Sequence, residues 1–244
     1  MTIWYEEAGS GDPVVLLHST AADSRMWDGQ WEALTARFRV IRVDYRGFGR
    51  TPFQAEAPYS DSGDVADLMA ELGLSRATLV GASGGGMVAL ELAAAGLASR
   101  LVLLNSPSTL APTPDLRAYW EKEGRLLEAG DVTGAAQLNV DLLLGPEADD
   151  AARARLLEMQ SHAFEVQLAA DPEPVQIDNE IDLTTIDVPA LVVLGAHDLP
   201  FFRDSARHLA ATLPDARLIE LEWAGHLPAM ERPEEITALL LDYL

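Results

Sequence analysis

Three side chains have the types and the placement for nucleophilic catalysis: Ser83, Asp198 and His226. Ser83 sits in Gly81-Ala82-Ser83-Gly84-Gly85, after the β-rich run Thr78-Leu79-Val80 and before an apolar stretch of helical character at Met87, Val88, Leu90, Leu92 and Ala93. A serine between a strand and a helix in a Gly-x-Ser-x-Gly pattern is forced onto a sharp, strained turn that only small neighbours permit. The helix that follows aims its free N–H groups and positive dipole end at whatever the serine attacks. The pentapeptide alone reads equally as a glycine-rich βα turn, so a base and an orienting acid decide between the readings. A phosphate loop is disfavoured, because the turn has no Gly-Lys-Ser/Thr ending and no Gly-x-Gly-x-x-Gly opens a first βα unit.

The elements that must position these groups follow from hydropathy. Ile3-Trp4-Tyr5 reads as a short edge strand. Continuous apolar runs mark buried strands at 13–17, 40–43, 78–80, 101–104 and 189–194, with a last strand at 216–221. Helical spacing fills the intervals: 27–38, 61–72, the stretch after Ser83, 203–213, and a closing helix opened by Pro233. Short connections between alternating strands and helices imply a parallel sheet with crossover helices. From Pro107 to Thr185 the alternation stops, and helical patterns cover 115–128, 133–144 and 151–168. The expected fold is an α/β, mostly parallel doubly wound sheet with an inserted helical cap. Residues 1–106 and 186–244 would form the sheet domain and 107–185 the cap.

In such sheets reactive groups gather in the loops after the carboxyl ends of the strands. Ser83, Asp198 and His226 each follow such a strand. Imidazole titrates near enough to neutrality to take the serine proton, and a carboxylate fixes its tautomer and stabilises the imidazolium. The rivals fit less well. His18 follows a strand but precedes the catalytic region, where a histidine reads as structural. His197 adjoins Asp198 and reads as exposed, and His162 and His208 fall inside helical patterns. Asn105 cannot carry the acid's charge, and Asp44 reads first as a turn cap beside Arg46.

Composition bounds the function. At 244 residues the chain suits one domain with an insertion, and its net charge of −22 argues against nucleic acid or an anionic membrane as partner. The chain contains no cysteine, which removes thiolate catalysis, disulfides and Cys-based zinc sites. The start, Met1-Thr2-Ile3-Trp4-Tyr5-Glu6-Glu7, lacks the basic and apolar regions of a signal peptide, so a cytoplasmic location is expected. Residues 107–185 carry 16 Asp or Glu against five Lys or Arg, half of the net charge.

The elbow around Ser83, the loop Asp44-Tyr45-Arg46-Gly47-Phe48-Gly49, the acid strand ending Gly195-Ala196-His197-Asp198, and Gly225-His226 together resemble the α/β-hydrolase superfamily, over essentially the whole chain. The resemblance implies Ser83 as nucleophile, His226 as base and Asp198 as acid. It implies an oxyanion hole made by the backbone N–H of Gly84 and, by position, Thr20. The superfamily usually has His-Gly-x where this chain has His18-Ser19-Thr20. A serine nucleophile argues against dehalogenase or epoxide-hydrolase chemistry.

The expected activity is cofactor-free and metal-free hydrolysis of a small-molecule ester, lactone or thioester, by a monomer or homodimer. Ser19, Trp27, Trp120, Leu143 and Leu144 are candidate pocket residues, with Met159 and Phe164 beside them. The segment from His18 to Trp27-Asp28 is also similar to 3-oxoadipate enol-lactone hydrolases, whose anionic substrate would want a cation such as Arg117 or Arg125, although the acidic cap speaks against it. C–C bond hydrolysis or perhydrolysis with the same triad, a proline-type aminopeptidase holding an ammonium on cap carboxylates, and a non-catalytic ligand receptor are the alternatives.

Overall fold

The computed structural model describes residues 3–177 and 179–244. The chain runs β1 (Tyr5–Ala8), β2 (Pro13–Leu17), α1 (Asp28–Thr35), β3 (Arg39–Val43), α2 (Asp61–Glu71), β4 (Ala77–Ala82), α3 (Gly84–Ala94) and β5 (Ala98–Leu104). Three helices follow, α4 (Pro114–Glu128), α5 (Val132–Leu143) and α6 (Asp150–Leu168). The chain then returns to the sheet with β6 (Ala190–Gly195), α7 (Pro200–Thr212), β7 (Ala216–Leu221), α8 (Pro228–Glu231) and α9 (Pro233–Tyr243).

The strands form one seven-stranded sheet in the order β1-β3-β2-β4-β5-β6-β7, in which only β1 is antiparallel to its neighbour. Alternate residues of each central strand enter opposite cores, as the two-residue period of a strand requires. Val15, Leu17, Leu79, Leu101, Leu103, Val192 and Leu194 pack with α2, α3 and α7 on one face. Val14, Leu16, Val80, Val102, Leu104, Leu191 and Val193 pack with α1 and α9 on the other. Both faces are covered, which explains why these strands read as unbroken apolar runs.

The first strand differs from its expected position. It starts at Tyr5, two residues later than the apolar Ile3-Trp4 suggests, and Ile3 is instead buried in the core. The polar Glu6 and Glu7 lie within the strand because it needs only edge pairing. Glu6 stands opposite Arg42 in the register, and ion pairs join Arg42 to Glu6 and Arg39 to Glu7, both at 2.6 Å.

Acidic residues and a threonine start the inserted helices. Thr113 accepts from Leu116 N with Pro114 at the first helical position, Asp131 accepts from Gly134 N, and Asp149 accepts from Ala152 N. Part of this segment's acidity is therefore capping. Ala135 and Ala136 of α5 are small enough to let Phe164 of α6 pack against them, with Leu126 and Leu127 of α4 adjoining. Val140, Leu143, Leu144, Leu156 and Met159 join the same apolar cluster as β2, β4 and β5, so the insertion is anchored to the sheet by shared packing. Arg25–Glu158 at 2.6 Å and the Arg155–Asp28 pair tie α6 to the start of α1. Among the described residues, no helix is long and apolar enough to cross a membrane.

Candidate active site

Ser83 closes β4 and precedes α3 with φ 51° and ψ −123°. A side chain rarely adopts that left-handed φ unless the surroundings impose it. Here Ser83 N donates to Leu104 O (2.9 Å) on β5, and Ser83 O accepts from Gly86 N (2.8 Å). The turn also needs close backbone approach. A Cβ on Gly81 would drive into the carbonyl of Gly85, and one on Gly85 into the carbonyl of Leu17. Gly81→Ala is therefore expected to cost about 3 kcal/mol or more of stability, because rigid backbone and not a flexible side chain would have to move. Urea unfolding checks this, and a wild-type midpoint would show that the elbow is looser than described.

His226 follows β7, in the loop before α8. Its Nδ1 lies 2.7 Å from Asp198 Oδ2, and the two side chains are 1% and 0% exposed. Asp198 follows β6, and its other oxygen accepts from Leu199 N (2.6 Å). Nδ1 therefore donates to the carboxylate, and Nε2 has no hydrogen-bond partner among the described residues. The ring packs on Phe202 with centroids 4.1 Å apart, which fixes its plane. Ser83 and His226 line one cavity of about 460 Å³, while Asp198 stands behind the histidine and outside the lining. Among the described residues Ser83 Oγ has no hydrogen-bond partner. Catalytic serine–histidine contacts commonly tighten only when substrate binds.

Gly84 opens α3, where backbone N–H groups have no intrahelical acceptor. Its Cα faces Thr20 so closely that a Cβ would sit 2.7 Å from Thr20 Cγ2. Thr20 and Gly84 line the cavity together with Ser83, and no hydrogen bond occupies the Thr20 N–H among the described residues. Two N–H groups beside the Ser83 hydroxyl have the arrangement that a developing oxyanion would need. The missing glycine of the His-Gly-x pattern is replaced by a Ser19 turn: Ser19 Oγ accepts from Ala21 N (3.1 Å) and Ser19 O from Ala22 N (2.9 Å).

The loop that carries His226 is clamped. Glu231 of α8 accepts from Gly225 N (2.9 Å) and Leu227 N (3.1 Å), the residues on either side of the histidine. His226 N donates to Leu143 O (2.7 Å) at the end of α5, so the inserted helices also hold the loop. Burial pushes the Glu231 carboxyl above its ordinary value, against N–H donors from Gly225, Leu227 and Gly145 that pull it down. Glu231→Gln keeps the shape but turns an acceptor into a donor facing an N–H. It is expected to lower kcat by about 10- to 100-fold with little change in KM, through a misplaced imidazole. Steady-state kinetics together with a melting curve separate this from unfolding.

Asn105, which also has a left-handed φ of 48°, braces the site from beneath. Its amide donates to Gly225 O (2.6 Å) and accepts from Gly195 N (3.0 Å), joining the loops that carry Asp198 and His226. His18 is fully buried, with Nδ1 2.8 Å from Ser19 O and Nε2 accepting from Tyr45 N (3.1 Å), and desolvation lowers its pKa. It is a buried bracket that ties the Ser19 turn to Tyr45. Asp44 accepts from Ser24 N and Arg50 N (2.8 and 2.9 Å), which makes it a turn cap.

Of the pocket residues expected from sequence, Ser19, Trp120, Leu143 and Phe164 line the cavity. Trp27, Leu144 and Met159 do not. They pack in the core against the sheet, because that face must be filled before anything is left to line a hollow. The sequence reading missed Phe48, Tyr119, Glu123, Asn139, Gln160, Phe201 and Phe202 in the wall. Tyr119 and Glu123 lie three and seven positions after the buried Leu116, a helical spacing that marks one face. Phe201 and Phe202 follow the acid at the carboxyl end of β6. Hollows of about 530 and 790 Å³ lie elsewhere, but neither is lined by Ser83 or His226, and ion pairs Asp23–Arg25 and Arg46–Asp64 lie within their walls.

Residues 14–239 match the model of the Alpha/beta hydrolase family. RutD of Caulobacter sp. (strain K31), provisionally named a carbamate hydrolase, is 31% identical over 97% of this chain and 92% of its own. A pimeloyl-[acyl-carrier protein] methyl ester esterase of Aeromonas hydrophila subsp. hydrophila is 29% identical over 98% of each. Among solved structures, the enol-lactonase from Burkholderia xenovorans LB400 superposes with a TM-score of 0.79 at 28% identity, over 99% of this chain and 95% of the other.

Proposed function

The chain belongs to the alpha/beta hydrolase family, and from that premise we propose that it is a serine hydrolase that cleaves an ester, lactone or thioester through an acyl-enzyme on Ser83. The observation that supports this most directly is that His226, paired with the buried Asp198, lines one cavity with the strained Ser83. Ser83 Oγ attacks the carbonyl carbon and gives its proton to His226 Nε2, while Asp198 stabilises the imidazolium. The N–H groups of Gly84 and Thr20 stabilise the oxyanion, helped by the dipole of α3. His226 then protonates the leaving group. In the second half-reaction it takes a proton from the water that attacks the acyl-enzyme and returns that proton to the departing Ser83 Oγ as the acid is released. Helices α4–α6 act as the cap that shapes the acyl and leaving-group pocket.

A dianionic or carboxylate-bearing lactone is the less favoured substrate. Arg117 and Arg125, the cations it would call on, point elsewhere: Arg117 donates to Pro112 O, and Arg125 is 67% exposed beside Glu121. Among the described residues no Arg or Lys lines the cavity. The test is labelling with a fluorophosphonate, followed by p-nitrophenyl esters, γ- and δ-lactones and acyl thioesters as substrates. One adduct on Ser83 and turnover of at least one acyl class are expected. A folded protein that takes no adduct would move the receptor reading to the front.

A further inference from the structure

The inserted helices give the cavity a polar wall that the hydrolytic steps do not use. Tyr119 and Glu123 come from α4, Asn139 from α5 and Gln160 from α6, and all four line the same hollow as Ser83 and His226. Glu123 Oε1 accepts from Asn139 Nδ2 (2.8 Å), and Asn139 Oδ1 in turn accepts from the Tyr119 hydroxyl. That chain fixes the carboxylate in place while leaving acceptor positions open, since a carboxylate can accept about four hydrogen bonds.

Gln160 adds an independent observation. It is 2% exposed, its Oε1 is buried without a partner, and its amide makes no hydrogen bond among the described residues. Buried amides are mostly hydrogen-bonded, so an open one in a cavity wall calls for a partner supplied by a ligand or by water. The wall thus offers a carboxylate and a neutral amide, with no cation among the described lining residues.

We propose that Glu123 and Gln160, with Asn139 and Tyr119 as the positioning pair, form a subsite for a substrate group bearing N–H donors, a primary amide or an ammonium, and that it rejects a carboxylate of the same length. The subsite deepens the serine-hydrolase reading by naming the polar end of the substrate, and it rests on that reading for its catalytic meaning. Glu123 accepts from the N–H groups. Gln160 supplies the complementary acceptor or donor for an amide.

Ligand-observed NMR titrations with butyramide, n-butylammonium and butyrate test this directly, on wild type, Glu123→Gln and Gln160→Met. Butyramide and n-butylammonium are expected to bind wild type at least about tenfold more tightly than butyrate. The protein's overall charge of −22 favours the cation non-specifically, so the decisive reading is the variant. Glu123→Gln, which keeps the bond to Asn139 and changes the net charge by one, is expected to weaken n-butylammonium about tenfold and butyramide less. Gln160→Met is expected to weaken butyramide. Equal binding of all three ligands, or ratios unchanged in Glu123→Gln, would overturn the proposal. Because binding is read without turnover, failed fluorophosphonate labelling would overturn the hydrolase reading alone.

Discussion

Ser83→Ala is expected to lower kcat/KM for any accepted acyl substrate by about 10⁴- to 10⁶-fold, with the melting temperature nearly unchanged. The size follows from what is lost. Ser83 carries the only hydroxyl within the turn 81–86 itself, so the covalent path disappears and only binding, the oxyanion donors and His226 remain. Stability should hold because Ser83 Oγ makes no hydrogen bond among the described residues. Its backbone strain is set by Gly81, Gly85 and the bond to Leu104, which an alanine inherits. Kinetics on the purified variant and intact mass after fluorophosphonate treatment check both halves. A loss below about tenfold, or an adduct that persists in the variant, would place the nucleophile elsewhere.

Asp198→Asn should reduce kcat by about 10⁴-fold while KM changes little. The Asn side chain can still accept from Leu199 N, so the loop keeps its shape. What changes is the bond to His226: an amide facing Nδ1 no longer holds the proton there or stabilises the imidazolium, and the ring is biased to the wrong tautomer. The effect is large because the pair is fully buried, and no water can substitute for the carboxylate. A loss of less than about tenfold would move the acid role to another carboxylate at this loop. Glu231, beside His226, is occupied: its oxygens are taken by Gly225 and Leu227 N–H groups, and among the described residues it makes no bond to the imidazole.

Much of the fold is legible in the chain itself. Ser83, Asp198 and His226 each follow a hydrophobic run, and parallel strands buried on both faces are among the patterns that local sequence specifies most directly. The three inserted helices are legible from helical spacing, whose expected starts at 115, 133 and 151 each fall one residue after the observed ones. Periodicity misplaced β1, because an edge strand is fixed by pairing with β3 and by Glu–Arg partners across it, not by its own apolar content.

The wall of the cavity was decided by tertiary packing alone. Leu143 and Leu144 are adjacent and chemically identical, yet the first lines the hollow and the second only packs in the core. Trp27 has the size of a pocket residue and is entirely buried beneath the sheet. Glu123 reads in the sequence as one more charge on a solvated helix, and it becomes a cavity carboxylate only because α5 brings Asn139 against it. Local sequence sets which face of a helix is apolar, since that depends on neighbours three and four residues away. Whether that face meets the sheet, another helix or an enclosed hollow depends on contacts between residues far apart in the chain, and these exist only once the helices have docked.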